Sequence, residues 1–329
     1  QWSEPAAKGT FDNMANNPVL QTIRFAAPVR AQFIRFVALS EVNGGPLASA
    51  AEIGVLANPP AAPVEPAMPP SEDFKPDMAA AVARTSELYP LSDQANAGGW
   101  VPYPPMSDEF DGGALDTEKW WDHNPGWLGR QPGFFYTGNV TVSDGKMHLA
   151  MRKEEPPEMP KDQGYHTYTS AAVKSKDTVR YGYFEVKAKA MASAGSSSFW
   201  FYHADPAWWT EIDVFEIGGR APGYEHALNM TLHVMQTPAE QRHISDGGKF
   251  IAPAGLADDY HVYGLEWDET DLKFYFDGVL VRRSPNTHWH QPLELNFDSE
   301  TMPEWFGLPK DEDLPSTYSI EYVRAWKKR

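Results

Sequence analysis

"WTEIDVFEIGG" (209–219) sets three carboxylates, Glu211, Asp213 and Glu216, within six residues. Side chains of a strand alternate between its two faces. Glu211 and Asp213 therefore share one face, and a regular strand turns Glu216 to the other. A β-bulge, in which two residues occupy one pleat position, returns the third acid to the face of the first two. The spacing thus predicts an inserted residue at Val214 or Phe215. Acids two residues apart are also ordinary on a solvated edge strand. The neighbours argue for a lined cleft instead: Trp208, Trp209, Phe215 and Ile217 flank the acids, and Gly218-Gly219 follows at once.

The same alternation recurs from Gly99 onward. "NVTVSDGKMHLAMRK" (139–153) and "LKFYFDGVLVRR" (272–283) read as hairpins turned at Asp144-Gly145 and Asp277-Gly278, a pairing suited to the positive φ of a type I′ turn. "YGYFEVKAKAM" (181–191) puts Phe184, Val186, Ala188 and Ala190 on one face and Tyr183, Glu185, Lys187 and Lys189 on the other. "YSIEYVRAWKK" (318–328) closes the chain in the same rhythm. Many short strands between Gly, Pro and Asp turns predict an all-β fold, a β-sandwich of jelly-roll type.

Residues 1–57 form a separate block. "TIRFAAPVRAQFIRFVAL" (22–39) alternates in two runs around Pro28 and "AEIGVLA" (51–57) in a third, which reads as a partial β-sandwich module. It resembles the final strands of a discoidin-type carbohydrate-binding module and is too short for a whole one. Residues 58–98 read as a connection. Proline, alanine and acid dominate 58–77, as in a semi-rigid linker, and Asp77 caps a short helix over "MAAAVARTSEL" (78–88) that stops before Pro90. The main domain is expected over 99–329.

Composition narrows the function. The formal net charge of -17 disfavours nucleic acid and anionic membranes as partners. The chain has no cysteine, which removes disulfide and thiol chemistry. No apolar run approaches the length of a membrane span. Twelve tryptophans and fourteen tyrosines are many; some can be core, but planar rings are also what sugar-binding clefts are built from. The start at Gln1, in mid-pattern, is expected of a mature or trimmed chain.

Glycoside hydrolysis needs two carboxyl groups flanking one bond, one donating a proton and, in a retaining enzyme, the other attacking the anomeric carbon. A third negative charge between them raises its neighbours' pKa values and keeps an acid protonated near neutral pH. Glu-Ile-Asp-Val-Phe-Glu (211–216) resembles the bulged signature of glycoside hydrolase family 16, the family of agarases, carrageenases and laminarinases. "SSSFWFYHADPAWWTEIDVFE" (196–216), "DEFDGGALDTEKW" (108–120) and "DDYHVYGLEWDETDLKFYFDGVLV" (258–281) resemble further family segments, so the likeness covers about residues 99–329. It implies a curved jelly-roll sandwich with an open cleft. It also implies Glu211 as nucleophile, Asp213 as assisting acid and Glu216 as acid/base. No organic cofactor is implied. A structural calcium ion on the convex face is implied by the family, although no dense oxygen-ligand loop is visible.

For the substrate, "LNMTLHV" (228–234) is expected beside the acid strand, bringing His233 near the acids. "SPNTHWHQPLELNFDSE" (284–300) resembles the carrageenase version of its segment and supplies His288, His290, Asn296 and Glu300. His288 and His290 read as sugar ligands or as a metal pair lacking a third ligand. "DHNPGWLGRQPGFFYTGNV" (122–140) offers Trp127 as a stacking platform and Arg130 as a sulfate-binding cation; Arg220 is a second such cation. Trp200, Trp208 and Trp209 fit stacking positions. The expected activity is a retaining endo-β-1,4-galactanase on red-algal galactans, with carrageenan or furcellaran favoured, acting as a secreted or cell-surface monomer of bacterial type. The alternatives are an agarase or porphyranase, a β-glucanase such as a laminarinase, and a non-catalytic jelly-roll lectin.

Overall fold

The computed structural model describes residues 68–78 and 82–329, and from the N-terminal block residues 7, 23, 25 and 35–37. Apart from those few positions, the strands expected over 22–39 and 51–57, and residues 58–67 of the linker, lie outside the described residues. The chain divides into one unit over Gln1–Ala67 and a second over Met68–Arg329. The second unit holds the acid strand.

Two antiparallel sheets of this unit face each other. The first runs, strand beside strand, through Trp120–Trp121, Tyr168–Val179, Leu293–Glu300, Ser196–Ala204, Trp209–Gly218, Ala227–Gln236 and Ile244–Ile251. The second runs through Val140–Ser143, Lys146–Lys153, Ser316–Lys328, Gly182–Lys189, His261–Trp267, Asp271–Phe276 and Val279–Pro285. The core lies between them. Phe199, Phe201, Ile212, Phe215, Leu232, Leu295 and Phe297 from the first sheet meet Phe184, Val186, Leu265, Phe274, Ile320 and Val323 from the second. This is the all-β jelly-roll sandwich read from the alternation, with the curvature that the family resemblance implies. Both hairpin turns have the expected backbone, with φ of 52° and 67° at Asp144 and Gly145 and 46° and 78° at Asp277 and Gly278.

The segment read as linker and helix behaves differently. Glu72–Asp73 pairs with Arg282 and Arg283 as an edge strand of the second sheet. Arg282, only 1% exposed, reaches past this strand to Asp73 at 2.6 Å and to Asp246 at 2.9 Å. The helix expected over 78–88 is absent across 82–86, which is irregular. Tertiary contacts override helix propensity there. Arg84 bonds the buried carboxylate of Glu185, which also accepts from the Leu91 amide at 2.6 Å and Tyr322 Oη at 2.9 Å. Glu185 alternates outward, as the sequence indicates. It is nonetheless buried, because residues 84–91 lie over it. The compact unit therefore starts at Met68, not at Gly99.

Removing one partner of a buried ion pair strands the other. Arg84→Ala is expected to cost about 3 kcal/mol and to lower the thermal midpoint by roughly 6–12 °C. A thermal melt by circular dichroism checks this. Replacing Arg84 and Glu185 together by leucine should recover most of the loss.

Candidate active site

The acid strand is bulged where the spacing requires. Against Ser196–Ala204, Asp213 faces Trp200 and Phe215 faces Phe199, so Val214 has no partner. Against Ala227–Gln236, Asp213 faces Thr231 and Glu216 faces Asn229, three residues against two. Ile212, Val214, Phe215 and Ile217 all enter the core. Glu211, Asp213 and Glu216 are left on the face turned away from it. Carboxylate oxygens of Glu211 and Asp213 and a ring nitrogen of His233 lie within 4.8 Å of one another.

Cross-strand register extends these positions into rows over the open face. One row is Glu294, Tyr202, Glu211, His233 and Ser245; the next is Asn296, Trp200, Asp213, Thr231 and Gly247. A third is Asp298, Ser198, Glu216, Asn229 and Lys249. Two buried carboxyls, Asp298 and Glu300, thus join the three on the acid strand. Sequence reasoning does not single out Asp298. The signal for it is present: Glu294, Asn296, Asp298 and Glu300 alternate with Leu293, Leu295, Phe297 and Ser299.

Five crowded carboxyls hold protons more tightly than they would in water. Burial first, and then the charge of Glu216, push Glu211 up to about 8. Burial and Asp298 push Glu216 up to about 7. Burial and the two glutamates raise Asp213 well above its usual range. Arg130 opposes the shift at both Glu211 and Glu216. Its Nε donates to Glu300 at 3.0 Å, and its guanidinium carbon lies 6.0 Å from the Trp127 ring centre. His233 Nε2 is 3.5 Å from Asp213, and Nδ1 is 3.0 Å from Nε2 of His243. Burial and His243 push His233 down to about 4, so it is neutral at working pH.

Of the residues expected in the cleft, Trp127, Arg130, Trp200, His233 and Glu300 gather with the acids. Trp200 is 9% exposed, donates to Asp298 at 2.5 Å, stacks on Tyr202 at 4.6 Å and meets Trp127 edge-on at 6.2 Å. Trp209 starts the acid strand opposite Ala204 and Gln236. Three others are held elsewhere. Arg220 pairs with Asp258 at 2.6 Å, Trp208 Nε1 donates to the His288 carbonyl, and His290 bonds the Tyr181 hydroxyl at 2.8 Å. Besides Asp298 and Glu300, the 284–300 segment serves the site through a residue to which the sequence reading gives no role. Buried Trp289 donates from Nε1 to the carbonyls of Glu211 at 2.8 Å and His233 at 3.2 Å. It pins the acid strand and its neighbour from the core side.

Residues 100–328 match the family described as "Beta-porphyranase A-D, GH16 domain". The chain belongs to glycoside hydrolase family 16. It is 32% identical over 270 residues to beta-porphyranase D of Zobellia galactanivorans, covering 69% of this chain and 61% of that protein. To beta-porphyranase E of the same organism it is 31% identical, covering 69% of this chain and 88% of that protein. The crystal structure of porphyranase B from Z. galactanivorans superposes with a TM-score of 0.62 at 26% identity, over 69% of this chain and 92% of that one. The chain thus spans less than two thirds of the first of these relatives.

Among the described residues the one group of three or more acidic or histidine ligands is Glu211, Asp213 and His233, inside the cleft.

The raised acids also fix a pH dependence. Folded Glu211 and Glu216 bind protons more tightly than the unfolded chain does. The stability this gives is complete below the usual glutamate range near 4.5 and is lost as pH rises through about 7–8. The melting midpoint should fall between pH 5 and pH 8, and Glu211→Gln should shrink that fall. An unchanged pH slope in the variant would contradict the assignment.

Proposed function

We propose that the protein is a retaining endo-β-galactanase acting on red-algal galactans. The observation that carries the reading is the bulge at Val214, which leaves Glu211, Asp213 and Glu216 together on the face turned away from the core. Glu216 donates its proton to the glycosidic oxygen as that bond breaks, and a Glu211 oxygen bonds to the anomeric carbon. Glu216, now a base, takes a proton from water, whose oxygen replaces Glu211 at the same carbon. Asp213, between them and beside neutral His233, holds Glu211 in place by sharing a proton. The charge of Arg130 opposes the rise at both glutamates and so favours the ionised Glu211 that the attack needs.

Two findings bear on the galactan. The carrageenan or furcellaran preference rests on the 284–300 segment, and His290 of that segment is engaged by Tyr181, away from the acids. The family description and the names of its relatives point instead to porphyran. We therefore favour a porphyran-type substrate, with carrageenan as the second reading because a kappa-carrageenase of Pseudoalteromonas carrageenovora is 26% identical. A polymer of this kind is met outside the cytoplasm, which suits a secreted or surface-held enzyme.

Reducing-end assays on porphyran, kappa-carrageenan, furcellaran, agarose and laminarin test the substrate class. Release from porphyran is expected, and release from laminarin alone would defeat the galactanase reading. Glu211→Gln and Glu216→Gln should each lower kcat by about 10²–10⁴-fold. Proton NMR should show the β anomer first. Binding without hydrolysis would indicate a lectin.

A further inference from the structure

Beyond the acid strand the open face continues for two strands, and its last row positions form a second feature. The row of Glu216 runs on through Asn229 to Lys249. At the usual strand spacing Lys249 stands roughly 10 Å from Glu216. Asp73, Asn229, Thr231, Lys249 and Trp305 line one open groove, and the Asp73 carboxylate there is paired with Arg282. Gly247 lies in its floor, and a methyl group added there would meet only Thr231 Oγ1, at 3.9 Å. Backbone is therefore open to a ligand at that point.

Trp305 is 38% exposed. It stacks at 4.4 Å on buried Phe306, and Tyr224 meets both rings edge-on at 6.2 and 5.1 Å. Lys249 Nζ lies 4.6 Å from the Tyr224 ring centre. Other cations near the face are engaged by carboxylates: Arg130 by Glu300 and Lys174 by Glu294. Lys249 has no ion-pair partner among the described residues. Five carboxyls, the three acids among them, disfavour an anionic sugar close by, so a charged substituent needs a cation set apart from them. A fixed ring beside a lone ammonium suits a sugar carrying a sulfate ester.

We infer that this groove is a substrate subsite for a sulfated sugar unit, with Trp305 covering the ring's apolar face and Lys249 taking the sulfate. It rests on the galactanase reading above. The side chain of Asn229 donates to the Glu216 carbonyl at 2.9 Å, which ties the groove to the acid strand.

The test is steady-state kinetics of Lys249→Gln, Lys249→Arg and Trp305→Ala on porphyran and on unsulfated agarose at one ionic strength, with melting midpoints as a folding control. Lys249→Gln should raise KM for porphyran about tenfold, leave kcat within about twofold and leave KM for agarose unchanged. Lys249→Arg should restore porphyran KM, and Trp305→Ala should raise KM for both polymers. Equal effects of Lys249→Gln on the two polymers, or none on porphyran, overturn the subsite while leaving the galactanase reading intact. Wild-type protein that cleaves neither of these polymers nor carrageenan overturns both.

Discussion

Where the three carboxyls point depends on Val214 having no partner. Continued as a regular strand from Asp213, the chain would turn Phe215 and Ile217 out to water and drive Glu216 into the core. Each of those apolar side chains is worth about 1.5–3 kcal/mol when buried, and an unpaired carboxylate in the core costs several more. The bulge avoids both penalties, because Val214 and Phe215 enter the core together. The same packing that stabilises the sandwich thus sets the acids on its open face. Trp289 reinforces the arrangement from beneath by holding the backbone of Glu211 and His233.

The consequence is a crowded, proton-holding cleft. Crowding five carboxyls, three of them buried, around one arginine works against stability, as the upward shifts at Glu211 and Glu216 indicate. The expense is tolerable because a large two-sheet core surrounds it. Residues 68–98 add to that core from outside by covering Glu185 and joining Asp73 to Arg282. The segment before the main sheets is therefore part of the folded unit.

Much of this is legible in the sequence. Period-two alternation around Phe184, Val186 and Ala188, Asp-Gly turns and the two-then-three spacing of the acids each report a local rule that tertiary structure does not override. What stays hidden depends on distant partners. Residues 82–86 carry a helical composition, but Arg84 finds Glu185 about a hundred positions away and stays irregular. Trp289 reads as one more aromatic until its indole is seen beneath Glu211. His290 and Arg220 look like ligands by residue type, yet Tyr181 and Asp258 claim them. Residue type and spacing locate chemistry along a strand. They do not say which side chains a loop returns to the cleft.

The central claim is that the bulge makes Glu211 the group that bonds to the sugar and Glu216 the one that moves the proton. Trapping the covalent intermediate with a 2-deoxy-2-fluoro galactosyl inactivator, followed by peptide mass spectrometry, tests it most directly. The account predicts one added sugar on the peptide carrying Glu211, at that side chain. A label on Asp213 or Glu216, or no label with product released in inverted configuration, would contradict it.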